Sequence, residues 1–298
     1  MRLRHGLSLL SIISAFIMGT PMAQADESPF AYVYTTESLP KGHWEYEQWN
    51  TLRTGKAAGE YTSFDLDNEF EHGFTDNLQI SFYLHSSFLH SRNTPDPDEL
   101  TTNLENQNSF DLNGVSAEFK YRLLSAEKDL FGLSLYAEPE LGVRNKLTGT
   151  DTVERSIECK LLADKHFLND RLILAANIVF EPEWERENDE RSKELKNEYL
   201  LGASYRFVPH WSAGVEFINR RLFEDQDFAK QGASAFYLGP ALHYADQRWW
   251  ASFTILPQIA GHPQTLGVDA TGNPVSDSFR HLGEYEKMEI RLKFGVEF

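Results

Sequence analysis

The chain has 298 residues and carries 45 acidic side chains against 28 Lys and Arg, a formal net charge of −17. That balance excludes a polyanion-binding surface and so a nucleic-acid partner. The lone Cys159 excludes an internal disulfide framework and a cysteine-rich metal centre, and is expected to be a small buried apolar residue.

The N-terminus opens with Arg2 and Arg4, continues through an apolar run from Leu7 to Met18, and reaches Ala23-Gln24-Ala25. This order predicts a signal peptide over residues 1–25, cleaved after Ala25. Residues 26–42 follow as a lead-in on the periplasmic side. Ala31 to Thr36 alternate, so this stretch is read as a lead-in or an inward-tucked segment, with an additional strand as the alternative. No later segment reaches the roughly 20 apolar residues of a membrane helix, but a membrane strand needs only about 10, apolar on one face.

Residues 43–298 show that strand pattern repeatedly. Ile80, Phe82, Leu84 and Phe88 alternate with Gln79, Ser81, Tyr83 and His85, and the same period recurs along the chain. About twelve strands are predicted, at 43–54, 60–72, 77–90, 109–122, 131–145, 152–165, 171–185, 194–207, 211–223, 234–245, 248–261 and 284–298. Short turns, such as 74–77 and 208–210, alternate with longer polar links at 91–108, 186–193, 224–233 and 262–283. The fold class is therefore all-β: a closed antiparallel up-and-down transmembrane barrel with both termini in the periplasm. Pro139, Pro182, Pro240 and Pro257 fall inside strands, where each removes a ladder hydrogen bond, and bulges are expected there.

The final strand places Met288, Ile290, Leu292, Phe294, Val296 and Phe298 on one face. An alternating strand closing on Phe is similar to the terminal signal that the barrel-assembly machinery recognises. It implies that machinery, periplasmic chaperones and outer-membrane lipid as partners. Trp44, Trp49, Tyr61, Trp184, Trp211, Trp249, Trp250 and Tyr285 lie near strand ends and are expected in interfacial girdles, with sugar-binding platforms as the alternative use.

The opposite parity of the strands is charged and must face the lumen, because charge facing lipid costs about 2–4 kcal/mol near the midplane. The inward acids are Glu45, Glu47, Asp65, Asp67, Glu69, Glu71, Glu118, Glu138, Glu140, Glu158, Glu181, Glu183, Glu198, Glu216 and Glu289. The inward bases are Arg53, Lys120, Arg122, Arg144, Lys160, Arg206, Arg220, Arg291 and Lys293. Glu45 and Glu47 on the first strand are expected to meet Arg291 and Lys293 on the last, which closes the barrel.

Two uses of such a lumen stay open. An acid excess favours a narrow channel for small cationic or neutral solutes. Alternatively, acids and bases cross-pair into a plug, leaving a structural or surface-interaction barrel. A membrane-embedded hydrolase is the third reading, with His85-Ser86-Ser87 and His90-Ser91 near the outer rim. A strand sends His85 and Ser86 to opposite faces, so they cannot act as base and nucleophile, and no catalytic residue is assigned. No cofactor or metal motif is present; Asp96-Pro97-Asp98-Glu99 is read as a flexible acidic loop rather than a Ca²⁺ site.

The stretch from Tyr34 to Trp49, YTTESLPKGHWEYEQW, resembles the N-terminal signature of an uncharacterised proteobacterial outer-membrane barrel family, porin-like in type. Asn68 to Gln79, a strand, turn and strand, is similar to the same family. The resemblance covers most of the chain and implies fold and location. It assigns no functional residue.

Overall fold

The computed structural model describes residues 28–96, 102–187, 190–262, 264–277 and 279–298. The signal segment and Pro97–Glu99 of the acidic loop lie outside them. Twelve strands form one closed antiparallel barrel: β1 (Trp44–Thr54), β2 (Glu60–Gly73), β3 (Leu78–Arg92), β4 (Gln107–Leu124), β5 (Gly132–Arg144), β6 (Asp151–Phe167), β7 (Leu172–Glu187), β8 (Glu190–Val208), β9 (Trp211–Glu224), β10 (Gln231–Ala245), β11 (Trp249–Gly261) and β14 (Met288–Glu297). Each strand pairs with its neighbour in sequence, and β14 closes the barrel between β11 and β1. The long link before β14, expected as a polar connection over 262–283, carries a two-stranded hairpin of its own, β12 (Gln264–Val268) and β13 (Pro274–Asp277).

The period of two is written in the burial of every barrel strand. On β3, Gln79, Tyr83, His85 and Leu89 are buried while Phe82, Leu84 and Phe88 are exposed. A closed barrel whose outside is apolar and whose inside is polar is a transmembrane barrel, because lipid accepts the first face and only a lumen accepts the second. Cys159 sits on the outer face between Ile157 and Leu161 and is exposed rather than buried. Its parity on β6, not its size, decides that.

The prolines correct a second expectation. Pairing is missing beside Pro139 between β4 and β5, and beside Pro182 between β6 and β7, yet the register resumes unchanged past each. Those prolines lose a ladder hydrogen bond on one side without adding a residue. Pro257 ends the β11–β14 ladder in unbroken register. Pairing is also missing beside Pro240 between β10 and β11 with no change of register; the bulge on that ladder is Ile259, two residues after Pro257, where Phe236 pairs with Ala260 and Tyr237 with Gln258. Another bulge occurs on β4, where His85 pairs with Gly114 and Ser86 with Leu112, skipping Asn113. The extra residue lets Leu112 and Val115 both face outward, although they have opposite parity in sequence.

Of the aromatic residues expected at the membrane interfaces, Trp44, Trp184, Trp211 and Trp249 are exposed on the outside. Trp49, Tyr61 and Trp250 are instead buried in the lumen.

Candidate functional site: a plugged, charged lumen

Residues 28–39 are not a strand. They enter the barrel from the end where β1 begins, reach deepest at Tyr32 and return to the same end at Leu39. Of the placements open from sequence, the inward-tucked one is observed for this stretch. A segment inside a barrel cannot borrow ladder hydrogen bonds, so the wall's side chains must satisfy its backbone.

Glu216 does the most. Its Oε1 accepts from the Ala31 amide at 3.0 Å and from the Thr254 hydroxyl at 2.5 Å, while its Oε2 accepts from the Tyr32 and Val33 amides at 2.8 and 2.9 Å. Asn177 brackets Tyr34, accepting from its amide at 2.8 Å and donating to its carbonyl at 2.9 Å. Asp164 accepts from the amide and hydroxyl of Thr36, and Ser134 donates to the Thr36 carbonyl. Gln79 takes the Leu39 amide at 2.9 Å, and Arg122 pairs with Glu37.

Apolar packing supports the same placement. Phe30, Ala31, Tyr32 and Val33 pack against Ala175, Val179, Leu200, Ile218, Tyr237 and Leu256, an apolar patch on the inner wall. Gly202 makes room for Phe30: a Cβ there would stand 2.7 Å from the Phe30 ring. Gly132 does the same for Thr36, whose Oγ1 would be 2.1 Å from a Cβ. Cations complete the seat, with the Arg291 guanidinium 3.9 Å above the Tyr32 ring and Lys160 Nζ 4.0 Å from both the Tyr34 and Tyr136 rings.

A second segment folds inward from the opposite end. Lys56, 2% exposed, donates to the carbonyls of Gly283 and Glu284 and pairs with Glu286 at 2.8 Å. Gln258 accepts from the His281 amide and donates to the His281 carbonyl, and His281 and Leu282 are fully buried. Burial holds the His281 imidazole below its ordinary value of 6.5. Between the two segments lies a cavity of about 390 Å³, lined by Tyr32 and Tyr34 from one and by Glu284, Tyr285 and Glu286 from the other. A smaller space of about 60 Å³ lies on the other side of Tyr34, towards Leu39.

The inward charges are placed as follows. Around the larger cavity, Glu289 lies between Arg53, at 3.1 Å, and Arg220, and it also accepts from the Tyr32 hydroxyl. Arg53 reaches Asp65 at 2.7 Å, Arg220 reaches Glu198 at 3.0 Å, Lys160 pairs with Glu158, and Lys196 with Glu181 and Glu183. The cavity wall still carries nine carboxylates against six Lys and Arg. Near the β1 end, Glu45, Glu47, Glu69, Glu71 and Lys120 line the smaller space, with Glu118 buried on β4. Arg144 sits at the far end of β5, paired with Asp111 and Asp151, and Arg206 lies half-buried near the end of β8.

The seam pairs only in part as expected. Lys293 meets Glu47 at 2.9 Å. Glu45 instead accepts from Trp250 Nε1, and Arg291 donates to Thr51 Oγ1 and the Ala31 carbonyl. In the observed register Thr51, not a carboxylate, stands opposite Arg291, and Glu45 stands opposite Glu297.

His85 and Ser86 do face opposite ways, with Ser86 donating to the Leu66 carbonyl outside. Inside, His85 lies 2.8 Å from Asp67 and 2.9 Å from Ser116 Oγ, an acid, imidazole and hydroxyl in line that the sequence spacing concealed. The Ser116 hydroxyl, however, donates to Glu138. With its one proton there, Ser116 receives from His85 rather than giving to it, the reverse of what activates a nucleophile. His85, Glu138 and Glu140 also bring ligand atoms within 4.8 Å of one another, but every one of them is already partnered: both ring nitrogens of His85 by Asp67 and Ser116, Glu138 by Ser116 and Tyr136, and Glu140 by Lys146.

A search of curated proteins finds no match to the chain. Among solved structures, the chain is similar to the COG4313 outer membrane channel from Pseudomonas putida F1, at 14% identity and a TM-score of 0.53, over 88% of this chain and 98% of that one. It is also similar to the NanC porin, at 11% identity and a TM-score of 0.45 over 85% and 98% of the two chains. LpxR from Salmonella typhimurium matches at 9% identity and a TM-score of 0.44 over 85% and 99%. The first of these likenesses supports the barrel fold. A family model matches residues 22–298, and the chain belongs to that family, DUF6662, a family of unknown function.

Proposed function

We propose that this protein is an integral outer-membrane channel for small cationic or neutral solutes, closed at its periplasmic half by residues 28–39. The observation that carries the reading is the combination of an inserted segment that joins no ladder of the barrel with an acid-rich cavity on its outer side. A wall meant only to fill space has no need of a cavity of about 390 Å³. Carboxylate excess in a narrow, low-dielectric path attracts cations and repels anions. The solved structure at a TM-score of 0.53 is of an outer membrane channel, which agrees with this use of the fold.

The chain reaches its membrane after cleavage behind Ala25, and the face from Met288 to Phe298 is read by the barrel-assembly machinery, with periplasmic chaperones carrying the unfolded chain. This reading assigns no catalytic residue: the Ser116 proton points to Glu138, and in the other buried His–Ser pair, His243 and Ser252 at 2.7 Å, the Ser252 hydroxyl donates to the Ser28 carbonyl.

Liposome uptake tests the reading. Glucosamine and glucuronate are close in size and opposite in charge. Vesicles carrying the protein without residues 28–39 are expected to admit glucosamine faster than glucuronate, and both faster than vesicles carrying the full mature chain. Equal uptake of the two solutes, or no gain from the deletion, overturns the proposal.

A further inference from the structure

We propose that Glu47, Glu69 and Glu71 form a binding site for one Ca²⁺ ion in the lumen wall. Each of the three brings a carboxylate oxygen within 4.8 Å of the other two, and all three are buried. The register explains the convergence: Glu47 on β1 stands directly opposite Glu69 on β2, and Glu45 opposite Glu71. Like charges opposite one another across a ladder repel, so an uncompensated arrangement of this kind works against the fold.

A second observation points to a ligand. Glu69 is 1% exposed, and neither of its carboxylate oxygens receives a hydrogen bond from an N–H or hydroxyl donor among the described residues; its polar neighbour is the Glu71 carboxyl, another acceptor. A buried carboxylate with both oxygens free is costly unless a cation or proton meets it. Two further buried oxygens without partners stand on the adjacent strands: Ser81 Oγ, opposite Glu71, and Glu118 Oε1, opposite Ser81. The positive groups nearby do not neutralise the site. Lys293 reaches Glu47 at 2.9 Å and Lys120 lines the same space, against five carboxylates counting Glu45 and Glu118.

The donor set selects the ion. Every ligand is oxygen, which suits a hard cation and gives no reason for Zn²⁺ or Cu²⁺. Ligands drawn from three neighbouring strands, with carboxylates able to bind through one oxygen or two, favour Ca²⁺ over the strict octahedron of Mg²⁺. The bound ion would clamp β1, β2 and β3 beside the seam with β14. This inference stands apart from the channel reading, since it concerns the wall and is read without conductance.

The test uses the full mature protein in detergent micelles, stripped with EDTA and titrated at neutral pH with CaCl₂ in a calorimeter. Tb³⁺ luminescence serves as a second probe, because the Trp49 indole donates to Glu47 at 2.7 Å and lies close enough to sensitise a bound lanthanide. One strong site per barrel is expected, weakened at least tenfold in both Glu69→Gln and Glu71→Gln, with Ca²⁺ raising the Tm of the wild type and not of the variants. Each variant relieves repulsion, so its metal-free barrel should melt no lower than the wild type. Absence of Ca²⁺ binding, which would mean that shared protons satisfy the carboxylates, overturns the proposal. So does binding that is unchanged in both variants, which would place the ion on the loops.

Discussion

Glu216→Gln is the sharpest perturbation of the inserted segment. One buried carboxylate receives three consecutive backbone amides, from Ala31, Tyr32 and Val33, together with the Thr254 hydroxyl, two donors on each oxygen. Glutamine keeps one oxygen and replaces the other with an amide nitrogen that faces donors instead of accepting from them. With Nε2 in place of Oε1 the Ala31 amide loses its acceptor while the Thr254 hydroxyl can turn to accept, so at least one hydrogen bond between wall and segment is lost, at about 1.5–3 kcal/mol. The lower bound, ~1.5 kcal/mol, shifts the docking equilibrium of residues 28–39 by roughly 10-fold. The barrel itself keeps its ladders, so its melting temperature should hardly move. Single-channel recording reads the effect directly: the variant should open far more often than the wild type, with the same conductance when open. An unchanged open probability would refute the view that this carboxylate holds the segment in place.

Gly202→Val should act through packing on the same segment, because its Cβ would stand 2.7 Å from the Phe30 ring; faster hydrogen exchange at residues 28–39 is expected, and unchanged exchange would contradict the contact. Glu289→Gln takes from Arg53 and Arg220 the carboxylate they share but leaves them Asp65 and Glu198, so a loss of about 1.5–3 kcal/mol is expected in thermal unfolding. The inward loop at 279–287 should loosen in acid. The buried His281 favours its neutral form, so the loop's docking is strongest above about pH 6.5 and weakens as the pH falls below it. Hydrogen exchange of that loop at pH 5, corrected for intrinsic rates, should exceed that at pH 7, and the difference should vanish in His281→Asn.

Lipid imposes a strict period of two, which is why the strands and the outward faces of β3, β5, β11 and β14 were legible in the sequence to within a few residues. The same rule assigned the charges to the lumen. What one strand's pattern cannot carry is which residue a side chain meets two or three strands away. Glu216 read as one more inward acid, and its partners at positions 31–33 lie more than 180 residues earlier. The Arg291 partner depended on a register that no local signal states. One signal of the inserted segment does lie in the sequence: Val179, Leu200, Ile218 and Leu256 are apolar on an inward face that is otherwise polar, and such a patch needs a cover. The small residues Gly132 and Gly202 marked where it lies. His85 and Ser116 were too far apart in sequence to suggest an alignment that only the pairing of β3 with β4 creates.

The central claim is that an acidic lumen conducts cations once residues 28–39 leave it. The reversal potential of the protein lacking that segment, measured in a planar bilayer under a KCl gradient, tests it most directly. A potential close to that of K⁺ is predicted, with little current through the intact chain under the same conditions. A potential on the Cl⁻ side, or no current after the deletion, would contradict the account.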